Sequence, residues 1–170
     1  MKRTVFVSVG TDHHDFSRLV GWCDTWAAAH RDEARCVVQH GTSRPPRHAE
    51  GHAYLGHEEV DRLMAEAAVI VSHGGPTTIA EARRRGVKPI VVPRSPVLNE
   101  HVDDHQQLFC ARLAASGLIA VAGSEAELGT LVSRALTHRA EFTAEHAAGS
   151  VAQAVERFEG YVNELLKDRR

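Results

Sequence analysis

The chain has 170 residues, 43% hydrophobic and 25% charged, with a formal net charge of −2. That length suits one domain with a real core, and the near-neutral balance excludes a general electrostatic footprint for nucleic acid. The three cysteines (Cys23, Cys36, Cys110) are odd in number and lack a Cys-x-x-Cys pair, which argues against a disulfide framework or zinc ribbon and for reduced thiols in a cytoplasmic protein.

The amino-terminal apolar run is too short for a signal peptide, and no stretch approaches the roughly 18 to 20 apolar residues of a spanning helix. The β-branched run TVFVSV (4–9) stops at Gly10 and predicts a buried strand. Residues 16–30 follow with apolar side chains at helical spacing. ARCVVQH (34–40) predicts a second strand, closed by the loop GTSRPP, and AYLG (53–56) predicts a short third. A helix is predicted over 57–67, with acidic residues in its first turn, where the macrodipole favours them. Strand 68–72, helix 76–85 and strand 88–93 come next. The loop RSPVLNEHVD leads into helix 104–116 and strand 118–122, and helices near 125–138 and 150–167 close the chain. Strands alternating with helices predict a single α/β domain over residues 1–170, Rossmann-like, its mostly parallel sheet covered by helices on both faces.

Open parallel sheets bind ligands beyond the carboxyl ends of their strands, near the topological switch point. Three loops leave those ends with unusual content: GTDHHD (10–15), SHGGPTT (72–78) and PRSPVLNEHVDDHQQ (93–107), and they are expected to converge. The middle one carries the most chemistry. Gly74 and Gly75 permit a tight turn and close approach of a ligand to the backbone, and Pro76 suits the first helical position. The amides of Thr77 and Thr78 are then donors at the positive end of a helix, an anion site to which both hydroxyls add. Glu81 shares their helix face. A carboxylate there repels a phosphate but accepts two hydrogen bonds from a vicinal diol such as a ribose, so the set describes a nucleotide. The alternative is a tight strand–helix turn with Glu81 solvated. There is no GxGxxG after the first strand and no GxxxxGK[ST], which argues against a dinucleotide site and a P-loop.

VSVGT at the start, YLGHEEVDRLMAEAAVIVSHGGPTTIAEARRRGVKPIVVPR in the middle and NEHVDDHQQLFCARLAASGLI after it together resemble glycosyltransferase family 28, C-terminal type. Within it the chain is similar to the small subunits of bacterial exopolysaccharide glycosyltransferases and to the donor-binding subunit of the dolichol-linked N-acetylglucosamine transferase. The resemblance implies one half of a two-domain GT-B enzyme. In that pattern Gly74, Gly75, Pro76, Thr77 and Thr78 cradle the diphosphate of a UDP-sugar, and Glu81 binds its ribose. Gln106 and Gln107 reach the sugar hydroxyls, a task for which glutamine offers donors and acceptors, while Gly10 and Thr11 line the cleft. UDP-sugar is substrate, and neither cofactor nor metal is implied. The implied reaction is inverting hexosyl transfer to a polyprenyl-diphosphate-linked glycan acceptor in exopolysaccharide synthesis. A membrane-associated, acceptor-binding partner subunit would recruit this chain to the inner face of the membrane. A non-catalytic nucleotide-sugar-binding or regulatory subunit, and a UDP-sugar epimerase or hydrolase, are the alternatives.

The sequence departs from that pattern in its first loop. Asp12 stands where relatives carry a histidine, followed by His13 and His14. Each is a candidate base; otherwise the three shape the loop and the partner supplies the base. His73, counted with the donor-binding residues, reads as orienting the turn by a side-chain hydrogen bond in preference to a catalytic role. VDD (102–104) reads as helix capping in preference to an acidic metal motif. His101 and His105, i and i+4 if helical, lack a third ligand of recognisable spacing. Arg83, Arg84 and Arg85 read as a solvated helix end or as a contact for acidic headgroups. In the terminal helix, Val151, Ala154, Val155, Phe158, Val162, Leu165 and Leu166 form an apolar stripe. Its first half fits this domain's own sheet, and its extension beyond Phe158 fits a partner.

Overall fold

The computed structural model describes residues 2–144; the predicted helix near 150–167 and its apolar stripe lie outside the described residues. In chain order the elements are β1 (Arg3–Ser8), α1 (Ser17–Ala29), β2 (Ala34–Gln39), β3 (Glu50–His52), α2 (His57–Glu66), β4 (Ala67–Ser72), α3 (Pro76–Arg84), β5 (Ile90–Val91), α4 (His105–Ala115), β6 (Ala120–Val121) and α5 (Glu125–Thr137). Short 3₁₀ turns occupy Pro96–Leu98 and Arg139–Phe142.

The strands form one open six-stranded sheet in the order β3-β2-β1-β4-β5-β6, and every pairing is parallel. β1 is central, with Val5 opposite Cys36 on one side and Val69 on the other. Because helices cover both faces, the inner strands are apolar on both sides and read as continuous runs. Val5, Val7, Val38 and Val71 face Leu19 and Trp26 of α1 and Leu128 and Val132 of α5. Phe6, Val37 and Ile70 face Leu63 and Met64 of α2 and Ala82 of α3. A third cluster, Ile79, Val91, Phe109, Cys110, Leu113 and Ile119, seats α3 and α4 on β5. No helix among the described residues is long and apolar enough to cross a membrane.

Three expectations are corrected. The third strand is Glu50–His52, not 53–56. Asp24 of α1 accepts the amides of Arg47, His48 and Ala49 at 2.7–2.9 Å, which steers Glu50 against Val37, while Leu55 donates its amide to Gln39 and turns toward α2. β5 and β6 hold only two paired residues each inside the longer apolar runs expected there. At the start of α4, Asp104 holds the N-cap position and Asp103 accepts the His105 amide at 3.1 Å; since the helix begins at His105, the helical spacing with His101 is not realised.

Candidate functional site

The strand order reverses between β1 and β4, so the loops after these two strands leave the sheet side by side. β4 ends in the fully buried Ser72, then the chain passes through His73, Gly74 and Gly75 into α3. Gly74 has φ +91°, and a Cβ there would lie 2.8 Å from Cys110 Sγ and 3.5 Å from Gln106 Oε1. The left-handed turn therefore packs directly on α4, as only glycine allows. Gly75 occupies the N-cap with Pro76 at the first helical position, and the first intrahelical bond is Ile79 to Gly75, 3.1 Å. The Thr77 and Thr78 amides have no intrahelical acceptor, so they face outward from the amino end of α3.

His73 joins this turn to the first loop. A Cβ at Gly75 would fall 2.4 Å from His73 Nε2, and one at Gly10 (φ +79°) would fall 2.5 Å from His73 Cε1. The imidazole thus fills the gap between the two glycines, with Nδ1 3.4 Å from the Ser8 carbonyl oxygen. Burial, reinforced by the charge of Arg94, pushes its pKa down to about 4, so the ring is neutral at pH 7.

In the first loop Asp12 Oδ1 accepts both the His14 amide (2.7 Å) and a bond from His14 Nδ1 (2.6 Å). Burial opposes ionisation of Asp12, but the His14 amide and ring and the charge of Arg94 outweigh it and hold the carboxyl below its ordinary range. His13 points to solvent, its side chain 85% exposed and 4.0 Å from the same oxygen. Thr11 is exposed as well. One donor atom from each of Asp12, His13 and His14 lies within 4.8 Å of the others. The Asp12–His14 hydrogen bond and the nearby Arg94 cation compete with a metal for those donors.

The third loop meets the other two. The rings of His14 and His101 are 6.1 Å apart. Gln106 is half-buried beside Gly74, and its Oε1 accepts the Arg94 amide at 3.2 Å, which leaves its amide group for other partners. Gln107, the next residue, is exposed. Glu81 is half-buried one turn beyond Thr77 and Thr78, and its oxygens accept from Arg84 (3.0 Å) and Arg85 (2.7 Å). Arg85 also pairs with Asp61, and Arg83 donates to the Leu118 carbonyl, so these arginines have partners inside the domain. His101 and His105 flank Asp103, at 3.4 and 2.7 Å.

Sequence reasoning missed what fastens the loops. Arg94 is fully buried. It donates to the carbonyls of Val9 (2.8 Å), His14 (2.9 Å) and Glu100 (3.0 Å), and its guanidinium lies 4.6 Å from the centre of the Phe16 ring. Arg18 grips the Glu100 carboxylate with two bonds, at 2.8 and 2.7 Å, and the Pro93 carbonyl with a third at 3.0 Å. The available signal was a cation set directly behind the apolar run Val91-Val92-Pro93. Ser8, Gln39 and Ser72 also escaped notice: Ser8 pairs in register with both others at the carboxyl ends of β1, β2 and β4.

Residues 4–160 match the model of the glycosyltransferase family 28 C-terminal domain. No protein of curated function matches the sequence significantly. Among solved structures, the calicheamicin glycosyltransferase CalG4 aligns with a TM-score of 0.62 at 19% identity, over 96% of this chain and 44% of that one. MurG of Acinetobacter baumannii aligns with a TM-score of 0.57 at 20% identity, over 91% of this chain and 48% of that one. This chain thus spans less than half the length of both enzymes. ALG13, solved by NMR, aligns with a TM-score of 0.60 at 15% identity, over 92% of this chain and 94% of that one. At these identities the likeness shows the fold: an open parallel sheet of the kind that forms half of a GT-B enzyme.

Proposed function

The chain belongs to glycosyltransferase family 28, as that family's C-terminal domain, and on that premise we propose that it is the donor half of a hexosyltransferase. It holds a UDP-sugar at the carboxyl end of its sheet. A membrane-associated partner subunit presents a lipid-linked glycan acceptor. The observation that carries the reading is the Gly74–Gly75 turn, stripped of Cβ atoms and opening onto the unpaired amides of α3. Those amides would receive the diphosphate. Glu81 would take the ribose diol on lone pairs its arginines leave unused, and Gln106 would offer its amide group to the sugar, with Gln107 beside it. One half of such a cleft is a single wall, which fits the open surface here; a surface cavity of about 490 Å³ lies instead at the opposite end of the sheet, by Lys2, Arg31 and Glu50.

In the proposed reaction the acceptor hydroxyl attacks the anomeric carbon, the bond from that carbon to the diphosphate oxygen breaks with inversion, and UDP leaves toward the amino end of α3. The amides that stabilise the growing charge on the leaving diphosphate are the main contribution of this chain. His14 is the best-placed base within it. With the Nδ1 proton held by Asp12 at 2.6 Å, its Nε2 lone pair is free to take the acceptor's proton. The solvent-facing His13 has no comparable partner to fix its tautomer.

Thermal melting with UDP, ADP, GDP and a panel of UDP-sugars tests this reading, with Glu81→Ala as control. A ligand at about a hundred times its dissociation constant stabilises by roughly 2.7 kcal/mol. Stabilisation by uridine ligands alone, lost in Glu81→Ala, is the expected result; equal stabilisation by ADP and GDP would sink the uridine assignment. We expect the purified chain to bind donor and transfer poorly until the partner is added. Robust transfer by the chain alone would remove the partner from the proposal.

A further inference from the structure

Arg94 holds a full positive charge where water does not reach it. Every hydrogen bond of its guanidinium ends on a backbone carbonyl, that of Val9, His14 or Glu100, and its buried Nε has no partner. Carbonyls orient a cation without neutralising it, and an isolated buried charge is costly. The fold therefore has to supply a counter-charge that lies out of contact.

Burial lowers the Arg94 pKa, and the charges of Asp12, Glu100 and Asp15 oppose it. Glu100 is already neutralised, its oxygens gripped by Arg18 at 2.8 and 2.7 Å. Asp15 is exposed and bonded to Ser17, so water and salt screen it. The His73 ring is uncharged at pH 7. Asp12 remains.

Asp12 and Arg94 hold opposite ends of one residue. Asp12 Oδ1 accepts the His14 amide at 2.7 Å, and Arg94 Nη1 donates to the His14 carbonyl at 2.9 Å. The cation lies on the buried side of the first loop, where it also bonds the Val9 carbonyl beside Gly10. The carboxylate lies on the solvent side, its side chain 31% exposed. This loop meets the Gly74–Gly75 turn through the ring of His73, so an uncancelled carboxylate in it would repel a diphosphate seated at that turn.

We propose that Arg94 is the counter-charge of the donor site: from behind the first loop it cancels the Asp12 carboxylate and lets that loop face an anion. The identity of the anion, the diphosphate of a UDP-sugar, rests on the donor reading above; the pairing of the two charges does not. Arg94 is thus a positioning residue that acts through Asp12 and the loop.

Calorimetric titration of the full chain with uridine, UMP and UDP tests this in the wild type, Arg94→Met, Asp12→Asn and the double variant. Asparagine keeps an oxygen for the His14 amide and drops only the charge. With an effective dielectric of about 20 and a separation on the order of 10 Å, one uncancelled charge changes the affinity for a phosphate about tenfold. Arg94→Met should therefore weaken UDP about tenfold, UMP less and uridine least, and adding Asp12→Asn should restore most of the UDP loss. A loop that is only loosened loses all three ligands alike, and removing a carboxylate does not repair it; either result overturns the proposal. If the melting curve of Arg94→Met shows it unfolded, Asp12→Asn alone decides. It should tighten UDP several-fold and leave uridine unchanged, and unchanged or weaker UDP binding overturns the proposal. The pairing has its own readout, NMR titration of the Asp12 carboxyl carbon, which should shift to higher pH in Arg94→Met. If that shift is seen and no uridine ligand binds the wild type, the donor reading falls and the pairing stands. If UDP binds the wild type but Asp12→Asn rescues nothing, the donor reading stands and the counter-charge falls.

Discussion

Gly74 is held at φ +91° with Cys110 Sγ 2.8 Å from where a Cβ would stand. Gly74→Ala meets backbone strain and a clash together, and we expect a loss of about 1–3 kcal/mol by urea unfolding, along with the uridine-induced shift. His73 sets a pH dependence. Its pKa is pushed from the ordinary 6.5 down to about 4 in the folded chain, so between those values the unfolded chain binds the extra proton. Stability is therefore full above about pH 6.5 and is lost as pH falls toward about 4, by on the order of 3 kcal/mol. His73→Gln should flatten that slope in urea melts across the window; an unchanged slope would mean another group titrates there. The turn was legible in the sequence because glycine, proline and threonine report backbone constraints that are local. Arg94 was not, because its acceptors are carbonyls 6 to 85 residues away, and the apolar run before it does not name them.

At the scale of elements, Arg94 clamps the loop after β1 to the segment before α4. Arg94→Met keeps much of the volume but strips the carbonyls of Val9, His14 and Glu100 of a donor. We expect a cost of about 2–4 kcal/mol and, more tellingly, faster amide hydrogen exchange confined to residues 10–16 and 94–104. Uniform acceleration across the sheet would show a general loss of stability instead. The long inner strands could be read from sequence because burial on both faces makes them continuous apolar runs. The edge strand β3 could not: Glu-Gly-His carries no apolar signal, and its place depends on Asp24 of α1. Tyr54 and Leu55 misled for a physical reason, since one stands in solvent and the other packs beside the Phe6 cluster.

Over the whole molecule, the alternation of strands and helices made the α/β class readable, and with it the convergence of the three loops at the carboxyl ends of the strands, whereas the strand order depends on contacts that no single segment encodes. Cys23, Cys36 and Cys110 are all free and buried. Burial pushes the Cys36 and Cys110 thiols up to about 12 and raises Cys23 well above the usual range. Reaction with a thiol reagent at pH 8 should therefore proceed only through opening of the fold, at a rate that rises with urea as the unfolded population does. Prompt modification of any one cysteine in the native chain would contradict this. Because Cys110 lies under the Gly74 turn, saturating UDP should protect it further.

The imidazole seated between Gly10 and Gly75 makes the tolerances of three positions interdependent. Gly75 has an ordinary φ of −68°, so its own backbone would accept alanine; the ring of His73 is what forbids it. Shrinking residue 73 should license alanine at 75, and a double-mutant cycle of His73→Ser with Gly75→Ala should show strong positive epistasis. Gly10, at φ +79°, would gain no such freedom. A change at 73 would thus unlock one glycine and leave the other locked, so the order in which substitutions arrive at this turn decides which of them the protein can survive.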